Sequence, residues 1–193
     1  MPEKGPPVYL DYDQAALDAA YDQAAYAPNR EQLIKRRIRD SELARLRVNE
    51  PERVAYGPAD IERLDIYRTE RDAAPVFIFI HGGAWRSGRS KDFATPAEMF
   101  LAAGVHYVVP DFAWVQDVGG SLMVLADQVR RAIAWVYRNA VRFGIDPPRL
   151  YVLKAEGELD AEMVAIAKAI ITQRTGSFDP TTYRVVTRRP CKN

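Results

Sequence analysis

The spacing of apolar positions changes along the chain, and each change marks an element. Residues 74–80, Ala-Pro-Val-Phe-Ile-Phe-Ile, are apolar without interruption, as in a strand buried on both faces of a parallel sheet. Residues 105–113 and 147–155 read the same way. Residues 62–70 alternate, with Leu64 and Ile66 between polar neighbours, which predicts a half-exposed strand; 53–57 is a second short strand. Helical spacing dominates elsewhere. Residues 121–144 carry the stripe Leu122, Leu125, Val129, Ile133, Val136, Val141 and close at Gly144. Residues 95–104 have Pro96 in the first turn and Gly104 at the end. Two more helices are predicted over 11–27 and 29–48, the second with Asn29 as N-cap and Leu33, Ile34, Ile38 and Leu46 as its apolar positions. Beyond 155 the pattern predicts a helix over 158–173, a short strand at Tyr183–Thr187 and a basic tail. Strand, helix, strand, helix, strand is the order of an α/β fold: a mostly parallel sheet with right-handed crossovers, flanked by helices. Chemistry in such sheets sits in the loops after the strand C-termini.

Composition narrows the function classes. Over 193 residues the formal net charge is +1, which gives no drive toward nucleic acid or an acidic membrane surface. The basic run Lys35, Arg36, Arg37, Arg39 is diluted by Glu31, Asp40 and Glu42 and reads as a solvated helix face. The single cysteine, Cys191, fits a reducing compartment. No apolar run reaches transmembrane length, and the opening Met-Pro-Glu-Lys-Gly-Pro-Pro lacks the apolar core of a secretion signal. The expectation is a cytoplasmic protein that binds neither nucleic acid nor membrane. No residue pattern requires a metal or a cofactor.

The chemistry-bearing stretch is Ile78-Phe-Ile-His-Gly-Gly-Ala-Trp-Arg-Ser-Gly-Arg-Ser-Lys-Asp-Phe93. An apolar strand runs straight into His81-Gly82-Gly83, where glycines let the backbone approach a bound group closely. Backbone N–H groups fixed in a water-poor turn stabilise a developing oxyanion. This stretch resembles the oxyanion loop of α/β-hydrolases, and most closely that of the kynurenine formamidase (arylformamidase) group and its esterase relatives. His81, Gly82, Gly83, Trp85, Ser87, Gly88, Lys91 and Asp92 carry the match. Residues 54–68 resemble the first hairpin of that family, and 125–152 its long helix and the strand leading to the nucleophile. The resemblance covers about residues 11 to 153.

It implies a partial, truncated α/β-hydrolase fold in three parts: an N-terminal helical segment over 1–50 that helps cover the pocket, the N-terminal half of the core over 51–155, and a divergent helix and basic tail over 156–193. It makes Gly82 and Gly83 the oxyanion hole, gives His81 a structural role and places Trp85 and Ser87 at the pocket. The implied substrate is a small-molecule ester or N-formyl amide.

The same resemblance places a nucleophile elbow, Gly-x-Ser-x-Gly, after the strand at 149–153. The sequence there reads Lys154-Ala-Glu-Gly-Glu158, so Glu156 occupies or adjoins the serine position. Lys154 and Glu158 replace the glycines that allow the sharp turn, which argues against Glu156 as a substitute nucleophile. Ser121 reads as a helix N-cap, Ser177 as a turn residue, and nothing holds Cys191 in place. Of the two histidines, His81 belongs to the loop and His106 reads as a satisfied core residue. Asp111, at a strand end, reads as a loop carboxylate. No catalytic residue is therefore assigned. With the family's later strands absent, the strand at 149–153 becomes a sheet edge, open to self-association or a partner chain. Three readings follow: a catalytically impaired hydrolase, a non-catalytic binding module, or one half of a split hydrolase.

Overall fold

The computed structural model describes residues 5–22 and 25–154. The chain divides into two compact units, residues 1–37 and 38–193. In the first, α1 (Gln14–Tyr21) begins where the Asp13 carboxylate accepts the Ala16 N–H, and it buries no residue. The sequence pattern predicts helix throughout residues 11–27. The helix is shorter because Asp13 caps it late and the chain leaves helical geometry at Asp22. α2 (Arg30–Val48) ends in the second unit and there buries Ser41 and Ala44. Two of its expected apolar positions, Leu33 and Leu46, are exposed: the helix packs by its small residues, which allow close approach.

Among the described residues, the second unit holds a five-stranded sheet of β1 (Glu52–Ala55), β2 (Arg63–Tyr67), β3 (Ala74–Ile80), β4 (His106–Pro110) and β5 (Ile145–Lys154), in the order β1-β2-β4-β3-β5. β3 runs parallel to both β4 and β5, as expected. The other two pairings, β1 with β2 and β2 with β4, are antiparallel. The connection over 56–62 is too short for a parallel crossover, so the sheet is mixed. Among the described residues nothing pairs with the outer edge of β5.

Continuous apolarity in β3 serves two cores. Val76, Ile78 and Ile80 face one side, with Leu125, Val129, Ala132 and Val136 of α4 (Leu122–Asn139). Phe77 and Phe79 face the other and pack against Tyr107, Phe93 and the α3 (Pro96–Ala102) residues Ala97 and Phe100. Leu122 and Val141 of the expected α4 stripe are exposed. Leu122 is the first residue of the helix, and Val141 falls in a 3₁₀ turn (Ala140–Phe143) that breaks the helical phase before Gly144 closes it at φ 68°. An ion pair on a buried carboxylate ties α4 to the first hairpin: Arg131, itself half-buried and also paired with Asp127, donates to Oε1 of Glu62, which is 1% exposed, while Ala59 N–H donates to Oε2 at 2.9 Å. Gly57 makes room for that carboxylate, since a Cβ there would lie 2.5 Å from its carbon.

Candidate active site

Parallel register positions the site. Ile80, the last residue of β3, lies opposite Lys154, the last of β5, so the His81 loop begins at the end of the sheet where β5 ends. Glu156 itself lies outside the described residues, as do Ser177 and Cys191. The loop then turns sharply. Gly83, Ala84 and Trp85 all have positive φ, at 128°, 53° and 59°. Left-handed geometry at Ala84 and Trp85 costs of order 1 kcal/mol each. Only glycine fits at 83, where a Cβ would stand 2.1 Å from the Ser87 carbonyl oxygen. The Gly83 carbonyl accepts the N–H groups of Arg86 and Ser87, at 2.9 and 3.2 Å, and the Ser87 hydroxyl at 3.3 Å. Ser87 is exposed and its hydroxyl closes the turn.

His81 is 4% exposed and sandwiched between Phe93 and Phe112, with centroids at 4.9 and 4.5 Å and planes nearly parallel. Its Nδ1 lies 3.0 Å from the Gly82 carbonyl oxygen, which makes Nδ1 the protonated nitrogen. Nε2 is buried and makes no hydrogen bond. Burial holds the imidazole pKa below its ordinary value, opposed by the bond to Gly82. His81 is thus a neutral, packed ring supporting the turn. Trp85, half-buried, tilts against Phe112 at 5.3 Å, and its carbonyl accepts the Val115 N–H at 2.8 Å. Further clamps come from the segment after β4: Trp114 Nε1 donates to Gly88 O at 3.1 Å and Gln116 Nε2 to Arg86 O at 2.9 Å.

The strongest anchor involves residues with no motif of their own. Ser90 is fully buried. Its N–H donates to Asp111 Oδ1 at 2.6 Å, and its hydroxyl lies 2.7 Å from Asp65 Oδ2 and 3.1 Å from Asp111 Oδ2. Arg53 donates from Nη1 to Asp65 Oδ1 and from Nη2 to Asp111 Oδ2, both at 2.6 Å. Asp111 is therefore a buried loop carboxylate, paired with Arg53 and Ser90. Ser90, Asp65 and Arg53 escaped the sequence reading; the available signal was a charged residue inside an apolar strand, Leu64-Asp65-Ile66. His106 is satisfied in the core, with Nδ1 accepting the Thr69 N–H at 3.2 Å and Nε2 3.3 Å from Gly144 O. Ser121 occupies the N-cap position of α4 without a side-chain capping bond. Among the described residues no three His, Cys, Asp or Glu side chains gather as a metal site, and no helix is long and apolar enough to cross a membrane.

A family model, BD-FAE, matches residues 64–182, from β2 through the loop and past β5. The chain belongs to the BD-FAE family. Its relatives include carboxylesterase patB of Penicillium expansum, 27% identical over 174 residues, covering 81% of this chain and 30% of that protein. A probable isoprenylcysteine alpha-carbonyl methylesterase, ICMEL1 of Oryza sativa subsp. japonica, is 27% identical over 135 residues, with coverages of 68% and 31%. Carboxylesterase NlhH of Mycobacterium tuberculosis is 29% identical over 102 residues, with coverages of 52% and 32%. This BD-FAE member thus spans about a third of the length of these curated relatives. Among solved structures, the esterase Est2 of Thermogutta terrifontis superposes with a TM-score of 0.51 at 23% identity, over 55% of this chain and 40% of that one. Fold and family together make the chain an α/β-hydrolase superfamily member with an esterase-like core.

Proposed function

We propose that this chain supplies the oxyanion side of an esterase-type site and is impaired as a catalyst by itself. Gly82 and Gly83 present the N–H groups that receive the oxyanion of a tetrahedral intermediate, and Trp85 borders the acyl pocket. The substrate class is a small-molecule carboxyl ester; N-formyl amides pass through the same kind of oxyanion and belong to the same reading. The observation that supports it is the strained turn at Gly83, Ala84 and Trp85, which follows directly on β3 at the end of the sheet where Ile80 pairs with Lys154; in the sequence, the resemblance puts the nucleophile just after Lys154. That segment contains Glu156 and no serine.

In an intact hydrolase a base-activated serine attacks the carbonyl, and backbone donors hold the resulting oxyanion. Here the donors remain, so binding of a tetrahedral or planar carboxylate mimic outlasts turnover. Loss of the serine costs about 10⁶-fold in turnover by analogy with a dissected protease triad. The test is hydrolysis of p-nitrophenyl acetate and N-formylkynurenine by the 193-residue chain, beside a carboxylesterase control. Near-background rates are expected, with a thermal-shift response to short carboxylates. Turnover within about tenfold of the control would overturn the impairment; silence across a broad carboxylate panel would overturn the oxyanion reading.

A further inference from the structure

The far end of the loop borders a second concavity, outside the ester site. It is a cleft of about 290 Å³, small by the standard of ligand pockets, between the C-terminal half of α2 and the Ser90–Phe93 turn. Four cations line it, Arg45, Arg53, Arg89 and Lys91, against two carboxylates, Asp65 and Asp111. Both carboxylates are spent internally: each of their four oxygens accepts from Arg53 or Ser90. Arg45 pairs with Glu50. Among the described residues Arg89 and Lys91 have no ion-pair partner. The Arg89 guanidinium is pinned with its carbon 3.9 Å from the Trp114 ring centroid, and its Nη1 is buried without a hydrogen-bond partner. A buried guanidinium N–H left unpaired is costly, and a rigid planar fork matches tetrahedral oxyanions.

We infer that this cleft binds a small phosphate-bearing anion, with Arg89 and Lys91 as its principal ligands and Arg45 as a third cation. Arg53 offsets one of the two carboxylates and Arg45 is shared with Glu50, so Arg89 and Lys91 leave the lining net positive, and their several donors suit the oxygens of a phosphate group better than a monocarboxylate. Inorganic phosphate and a phosphomonoester present the same group, so both serve as probes. The inference is independent of the ester reading, because neither Arg89 nor Lys91 holds the glycine turn.

The test is calorimetric titration of the full chain with inorganic phosphate, phenyl phosphate and acetate at constant ionic strength. Saturable phosphate or phenyl phosphate binding with Kd of about 1 mM or tighter is expected, with acetate at least about tenfold weaker. Lys91→Gln, an exposed change that spares the fold, is expected to weaken phosphate about tenfold; Arg89→Lys, which keeps the charge and loses the fork, does the same. Arg138→Gln, on an exposed part of α4, leaves binding unchanged. Absence of saturable binding overturns the inference, acetate matching phosphate overturns the ligand class, and equal binding by all three variants marks an adventitious ion only.

Discussion

At the scale of single residues, the loop is held by groups that look unremarkable in the sequence. Ser90 is one serine in a polar run, yet its hydroxyl and N–H satisfy two buried carboxylates. Ser90→Ala leaves Asp65 Oδ2 without its 2.7 Å donor. It is expected to destabilise the fold by about 1–3 kcal/mol, measured as a lower urea midpoint at unchanged m-value; an unchanged midpoint would remove Ser90 from the anchor. Ser87, the serine that matches the motif, makes only a 3.3 Å bond to a turn carbonyl. The difference between the two is burial, and burial of a lone serine has no signature in sequence. Gly83 is the opposite case: the steric demand at that position can be met by one residue type, so it was readable at once.

At the scale of elements, strand and helix positions were legible because apolar period reports them directly, and the five described strands overlap the stretches the pattern marked; β2, expected half-exposed, is buried because β1 and β4 flank it in the sheet, and the helix at 158–173 and strand at 183–187 lie outside the described residues. What the pattern missed was chain direction and phase. The antiparallel pairing of β2 with β4 depends on tertiary contacts, and Val141 left the helix stripe when a 3₁₀ turn changed the period. The pair Glu62–Arg131 was equally invisible, since two charged residues 69 positions apart announce nothing until the fold joins them. It fastens α4 to the hairpin ahead of β2. Arg131→Met strands a buried carboxylate and is expected to cost about 3 kcal/mol, or a melting temperature lower by about 6–12 °C. Glu62→Gln combined with Arg131→Met should recover most of that loss in the same melting measurement, because no buried charge then lacks a partner. A double variant no better than the single one would show that packing, not charge, carries the effect.

At the scale of the whole molecule, both histidines couple stability to pH in the same direction. Burial holds His81 and His106 below the ordinary value of 6.5. Unfolded, each takes up a proton as the pH falls through about 6.5; folded, each resists. The unfolded state then binds more protons, so stability falls as the pH drops. Denaturant midpoints are expected to decline from pH 7.5 to 5.5, above the range where ordinary carboxylates protonate, and ¹⁵N spectra should show both rings titrating below 6.5. A ring titrating near 6.5 would contradict the buried placement. The aromatic clamp has another consequence. Of the chain's three tryptophans, Trp85 lies within the glycine turn against Phe112 and Trp114 lies beneath Arg89, while Trp135 packs away from both, against Phe143. Two of three indoles therefore sit at the loop that both proposed sites border, and the protein's own fluorescence becomes an optical record of occupancy there.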